Sequence, residues 1–136
     1  MKSLLPLAIV LALATAYGLW YRRSRGRLRA KAGRLHITES MIQAPLGSRA
    51  TLVQFSSAFC TPCRATRALL ENIVQGISDV AHVEVDAEAR LELVRELNIL
   101  STPTTLILDS HGREVGRAVG APKREQVITA LKAIRT

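Results

Sequence analysis

The chain contains two cysteines, Cys60 and Cys63, with Thr61 and Pro62 between them. Their spacing suits a redox pair if the first stands at the start of a helix. Two thiols three positions apart can then close a small disulfide without moving the helix, and the first sits where unpaired backbone N–H groups and the helix dipole favour negative charge. A thiolate stabilised in this way is a nucleophile at neutral pH, which makes Cys60 the candidate attacker. Cys63, one turn deeper, is placed to attack the resulting mixed disulfide and release the product. Pro62 has no N–H to leave unsatisfied, and its fixed backbone angle suits a first helical turn.

Other uses of a Cys-x-x-Cys pair require more than the sequence offers. Zinc would need two further ligands, yet there is no second cysteine pair, and His36, His82 and His111 show no paired spacing. No metal and no bound cofactor is expected. A purely structural disulfide across two intervening residues would constrain little of the unfolded chain.

The flanking residues predict the elements that would position this pair. Residues 51–55, Thr-Leu-Val-Gln-Phe, form a β-branched and apolar run suited to a buried strand ending just before Cys60. From Cys63 onward, Ala65, Leu69 and Ile73 recur at intervals of four, with Leu70, Val74 and Ile77 beside them, which predicts an amphipathic helix. A strand over 80–86 and a helix over 87–97 follow, the latter with Leu91, Val94 and Leu97 inward. After Ser101-Thr102-Pro103 come a strand over 104–108, a turn at 109–112 and a returning strand over 114–119. A last helix over 123–135 buries Val127, Leu131 and Ile134. Upstream, residues 35–38 predict a strand, and 39–49, with Pro45 and Gly47, a loop with at most one helical turn. This order implies a mixed sheet between helices.

Composition agrees with one globular domain. Of 136 residues 48% are hydrophobic and 22% charged, which excludes a disordered tail and leaves no room for two domains. The net charge of +8 is unevenly placed: residues 1–35 carry eight of the nineteen Lys/Arg and no acid, whereas the rest carries eleven of each sign. With the globular part neutral, no nucleic-acid footprint remains.

Residues 4–21 are uncharged and apolar, and at about 1.5 Å per residue they reach roughly 27 Å, enough for a bilayer. Trp20 and Tyr21 suit the headgroup region, and seven Lys/Arg follow. The expected organisation is an amino-terminal stub at 1–3, a transmembrane helix at 4–21, a basic juxtamembrane linker at 22–34 and a folded domain at 35–136. The charge asymmetry predicts a single-pass protein with its carboxyl-terminal domain in the cytoplasm. A cleaved secretory signal ending near Ala14-Thr15-Ala16, hence an exported protein, is the competing reading.

The segments Phe55-Ser56-Ser57-Ala58-Phe59-Cys60-Thr61-Pro62-Cys63, Val85-Asp86, Ser101-Thr102-Pro103-Thr104 and Val119-Gly120 together resemble the thioredoxin family, in order and separation, over roughly residues 35–134. The resemblance implies an α/β fold, a thioredoxin-like three-layer sandwich with a mixed four- to five-stranded sheet, here preceded by one amino-terminal transmembrane helix. It also implies a cis Thr102–Pro103 peptide facing the cysteines, with the Thr102 backbone offered to a substrate peptide. Phe59, Pro62, Thr102 and Pro103 become the expected substrate-binding residues.

The sequence also departs from the family pattern. Thr61 stands where glycine is common and Phe59 where tryptophan is common. Gln54 occupies a strand position that often holds a buried acid, and His82 one that often holds lysine. An amide cannot titrate. This makes His82 the candidate proton acceptor for Cys63, in a relay with Gln54, against a plain strand histidine. The stretch before Thr51 is too short for the family's first full helix.

The expected activity is thiol-disulfide exchange with protein substrates, with a thiol reductase to recycle the pair and a lipid bilayer around 4–21. The alternatives are an extracytoplasmic protein of secreted-protein or cytochrome maturation, a Cu(I)/Zn metallochaperone using the same cysteines, and a non-catalytic adaptor.

Overall fold

The computed structural model describes residues 4–24, 28–30 and 35–135. The expected stub and most of the basic linker lie outside the described residues. The first helix, α1 (Leu4–Ser24), runs past the apolar stretch to include Arg22 and Arg23 in its last turn. Arginine is a good helix former, and positive charge is favoured at a helix carboxyl end, so the helix continues where hydrophobicity stops. None of the stretch Leu5–Arg23 is buried, and by length and composition the helix is long and apolar enough to cross a membrane. Tyr17 lies against Trp20 and Tyr21 with ring centroids 6.0 and 6.2 Å away.

The domain is a mixed sheet between helices. Its strands are β1 (Leu28–Ala30), β2 (Ala50–Ser56), β3 (Val80–Asp86), β4 (Thr104–Asp109) and β5 (Glu114–Val119), in the spatial order β1-β5-β4-β2-β3. Only β2 and β3 are parallel; β4 runs antiparallel to β2, and β5 to β4. The three-residue β1 adds to the outer edge of β5, inside the stretch expected to be linker.

The period of two along β2 divides the core between the faces. Val53 and Phe55 pack with Leu106 and Leu108 under α2 (Glu39–Ile42) and α4 (Leu91–Glu96). Ala50 and Leu52 pack with Ile107 under α3 (Thr61–Val74) and α5 (Arg124–Ala133). Every residue of β2 is buried, as suits a strand with neighbours on both sides and helices on both faces.

Several expected details are corrected. Residues 35–38 form no strand but a single bridge, His36 to Arg113. The chain turns into α2 after two bonds with the β4–β5 turn, Ile37 N–H to Gly112 O and Glu114 N–H to Leu35 O. Helix α4 is only six residues long, so Leu91 is its exposed first residue; Leu97 is buried and Val94 packs against the core as expected, and Leu93 joins them in place of Leu91. On α3 the buried face is Cys63, Thr66, Leu70 and Ile73, with Ala65 turned outward. That stripe starts from Cys63, which must point inward beneath β2. Helix α5 ends at Ala133, so Ile134 falls beyond it, half-buried.

Gly112 has φ +77°, and a Cβ there would meet the backbone oxygen of Ile37 at 2.1 Å. Both the left-handed conformation and the contact exclude a side chain. Gly112→Ala is therefore expected to cost more than about 1 kcal/mol in a denaturant melt. A variant as stable as the parent would show that the turn can move away from Ile37.

Candidate active site

Strand β2 ends at Ser56, and Ser57, Ala58 and Phe59 lead the chain to the start of α3. Cys60 is the N-cap of that helix, with extended backbone angles, and Pro62 lies in the first turn. Cys60 and Cys63 are joined as a disulfide with Cα atoms 5.2 Å apart. The sulfur of Cys60 accepts the Cys63 backbone N–H at 3.2 Å. A sulfur is thus the side-chain cap of α3, where an oxygen usually serves. Cys60 is partly exposed while Cys63 is 3% exposed, so the pair has an outer and an inner member.

The other expected residues fall around the pair to differing degrees. Phe59 is fully exposed beside Cys60, and Pro62 is exposed. The Thr102–Pro103 peptide is cis. Its loop is tied to the cysteine loop by the Thr102 and Ser57 hydroxyls, 3.0 Å apart, and Gly120 N–H donates to Pro103 O at 2.8 Å. Ser57 has no role assigned by its residue type; its only signal is its place in the segment that leads into Cys60.

Gln54 is wholly buried beneath Cys63. Its amide nitrogen donates to the Cys63 carbonyl at 2.9 Å and to Ser56 Oγ at 3.0 Å, and its Oε1 lies 3.1 Å from His82 Nε2. A carbonyl only accepts, so the amide nitrogen must face Cys63 and the amide oxygen His82. His82 Nε2 must then carry a hydrogen, which leaves Nδ1, on the far side of the ring, as the basic atom of the neutral imidazole. His82 reaches Cys63 only through an amide.

Burial holds His82 below its ordinary pKa of 6.5, and Arg67 acts in the same direction, against Glu71 and Glu84, which favour the charged ring. The folded state therefore binds fewer protons than the unfolded state. The stability carried by neutral His82 is full above about pH 6.5 and is lost as pH falls through the folded value. The thermal midpoint is expected to drop more between about pH 7.5 and 5.5 than that of His82→Gln. Equal drops would remove His82 as the cause.

Two charged neighbours escaped the sequence reading. Arg67 of α3 is ion-paired with Glu84 of β3, and this contact holds the Glu84 carboxyl below its ordinary range. The β2–β3 register, which sets Gln54 opposite Glu84, would have revealed Glu84 once the strands were aligned. Among the described residues, no three His, Cys, Asp or Glu side chains gather as a metal site. What the arrangement can do is exchange disulfides, with an outer sulfur fed by backbone N–H and an inner one behind it.

A family model described as Thioredoxin matches residues 36–133. The chain is 34% identical over 90 residues to a thioredoxin of Alicyclobacillus acidocaldarius subsp. acidocaldarius, covering 65% of this chain and 85% of that protein. It is 32% identical over 78 residues to thioredoxin H2-1 of Oryza sativa subsp. japonica, covering 57% of this chain and 56% of the rice protein. It thus spans little more than half of that plant relative's length. Among solved structures, the short form of spinach chloroplast thioredoxin F superposes with a TM-score of 0.58 at 27% identity, over 66% of this chain and 80% of that one.

Proposed function

The chain belongs to the thioredoxin family, and from that premise we propose that it is a thiol-disulfide oxidoreductase acting on protein disulfides through Cys60 and Cys63. Cys60 attacks the substrate disulfide and Cys63 resolves the mixed disulfide. The observation that carries this reading is the Cys60 sulfur at the N-cap of α3, 3.2 Å from the Cys63 N–H. When the disulfide is reduced, that N–H and the helix dipole favour charge on the partly exposed sulfur. Phe59 and Pro62 form the exposed substrate surface, and the half-buried Thr102 pairs its backbone with the substrate chain, held in place by the cis bond to Pro103, which is itself buried and acts as a support rather than as surface. Gln54 and His82 act on Cys63 by orienting its backbone, and its proton leaves to solvent. A thiol reductase of the host cell returns the pair to the dithiol.

Alkylation of the reduced chain tests this reading. Reduced Cys60 is expected to keep its reactivity toward iodoacetamide at lower pH than free cysteine does. A Cys60 that titrates like the free amino acid, or resists alkylation, would overturn it.

The proposal extends to the whole chain: a membrane helix at 4–21, a basic linker at 22–34 and the catalytic domain at 35–136, single-pass and facing the cytoplasm. It is supported by the unburied apolar window of α1 and by seven Lys/Arg against one on its two sides. A helix of this kind serves equally as an anchor or as a signal sequence. A carboxyl-terminal fusion to a reporter active only in the cytoplasm is expected to be active and membrane-bound. Activity of a reporter that works only after export would reverse the topology.

A further inference from the structure

Beside the disulfide lies a cavity of about 590 Å³ whose wall includes both cysteines and four charged side chains, Arg64 and Arg67 of α3 and Glu84 and Asp86 of β3. Arg67 and Glu84 neutralise one another. Arg64 and Asp86, of opposite sign, form no ion pair among the described residues. Arg64 is exposed in the first turn of α3, next to Cys63. Asp86 uses Oδ1 to accept the N–H groups of Glu88 and Ala89, at 2.8 and 3.4 Å, which leaves Oδ2 for an outside donor.

A reactive disulfide thus shares one cavity with an available guanidinium and an available carboxylate. A cysteine inside a polypeptide has neither a free ammonium nor a free α-carboxylate to meet them. A free amino-acid thiol, or a short peptide thiol, carries both within a few bonds of its sulfur. We propose that this cavity admits disulfides of small zwitterionic thiols, free or capping a protein cysteine, with Arg64 taking the carboxylate and Asp86 the ammonium. The proposal deepens the exchange activity above and rests on it.

The chemistry closes without a further reactant. The Cys60 thiolate attacks one substrate sulfur; a Cys60–substrate S–S bond forms, the substrate's own S–S bond breaks, and one thiolate leaves to be protonated by water. Cys63, having lost its proton to solvent, attacks Cys60 Sγ, closes the Cys60–Cys63 disulfide and releases the second thiol. Two electrons pass from the dithiol to the substrate.

The test uses the reduced full chain in detergent and two small disulfides, zwitterionic L-cystine and uncharged bis(2-hydroxyethyl) disulfide. Rate constants are divided by those of the same disulfides with dithiothreitol, which removes differences in leaving-group acidity. The normalised preference for L-cystine is expected to be about tenfold, and Arg64→Gln and Asp86→Asn are each expected to lower it roughly threefold, the worth of one partly exposed ion pair. Taking the ratio cancels any change in Cys60 itself, and asparagine retains the acceptor oxygen for Glu88 and Ala89. No preference, or one that survives both substitutions, overturns the inference while leaving protein disulfide exchange intact. Failure to react with either small disulfide and with a protein disulfide such as insulin would instead overturn the reading on which it rests.

Discussion

Cys60→Ser is expected to abolish reduction of a protein disulfide, lowering turnover on the order of ten-thousandfold or more, because no other thiol at the surface can begin the exchange. Both cysteines of the chain are in the pair, and the inner one is 3% exposed. Serine keeps the cap geometry at the start of α3, so the loss should come with the fold preserved, as circular dichroism would show.

Cys63→Ser is expected to fail differently. Cys60 remains partly exposed and still accepts a backbone N–H of α3, so it still attacks, but nothing behind it releases the product. A covalent adduct that reductant dissolves should accumulate with a substrate disulfide, visible by non-reducing electrophoresis or intact mass. If both variants lost turnover without any adduct on Cys63→Ser, or if Cys63→Ser still turned over, the division into attacker and resolver would be wrong. A metallochaperone or an adaptor would show no such asymmetry.

The local rules that exposed the site in the sequence also explain what the sequence hid. Cys60, Pro62 and the apolar run before them mark a strand-to-helix junction because N-cap chemistry and strand propensity act within a few residues. The cis Thr102–Pro103 bond followed from family resemblance, since nothing local distinguishes it from a trans bond. Helical phase was less legible. Ala65 and Leu91 fit a spacing of three to four, but the buried stripe of α3 is set by Cys63 pointing under β2, and α4 is too short for its first residue to reach the core. Residues 35–38 have strand-like composition, but the β4–β5 turn supplies too few partners for more than one bridge. Glu84 and Asp86 come beside the cysteines through the parallel register of β2 and β3, a pairing that sequence separation does not show, while α3 brings Arg64 and Arg67 to the same cavity.

Glu114→Ala is expected to produce the largest loss of stability among single polar substitutions in the domain, about 3–5 kcal/mol. Glu114 is 1% exposed on β5. Its two carboxylate oxygens accept from Arg117 Nε and Nη2 at 2.7 and 3.0 Å, and the remaining guanidinium nitrogen donates to Asn98 O at 3.3 Å. Asn98, with φ 54°, lies between α4 and the loop that carries Thr102 and Pro103. Alanine would leave a guanidinium with 11% side-chain exposure and no counter-charge, so the cost is that of an abandoned charge more than that of a lost attraction. The double variant Glu114→Leu/Arg117→Met, which removes both charges and keeps the volume, should therefore recover stability to within about 1 kcal/mol of the parent. Urea melts with unchanged m-values would measure both variants. A double variant no better than the single one would mean that the pair is needed for its bonds across to Asn98, making the ion pair the brace of the cis-proline loop.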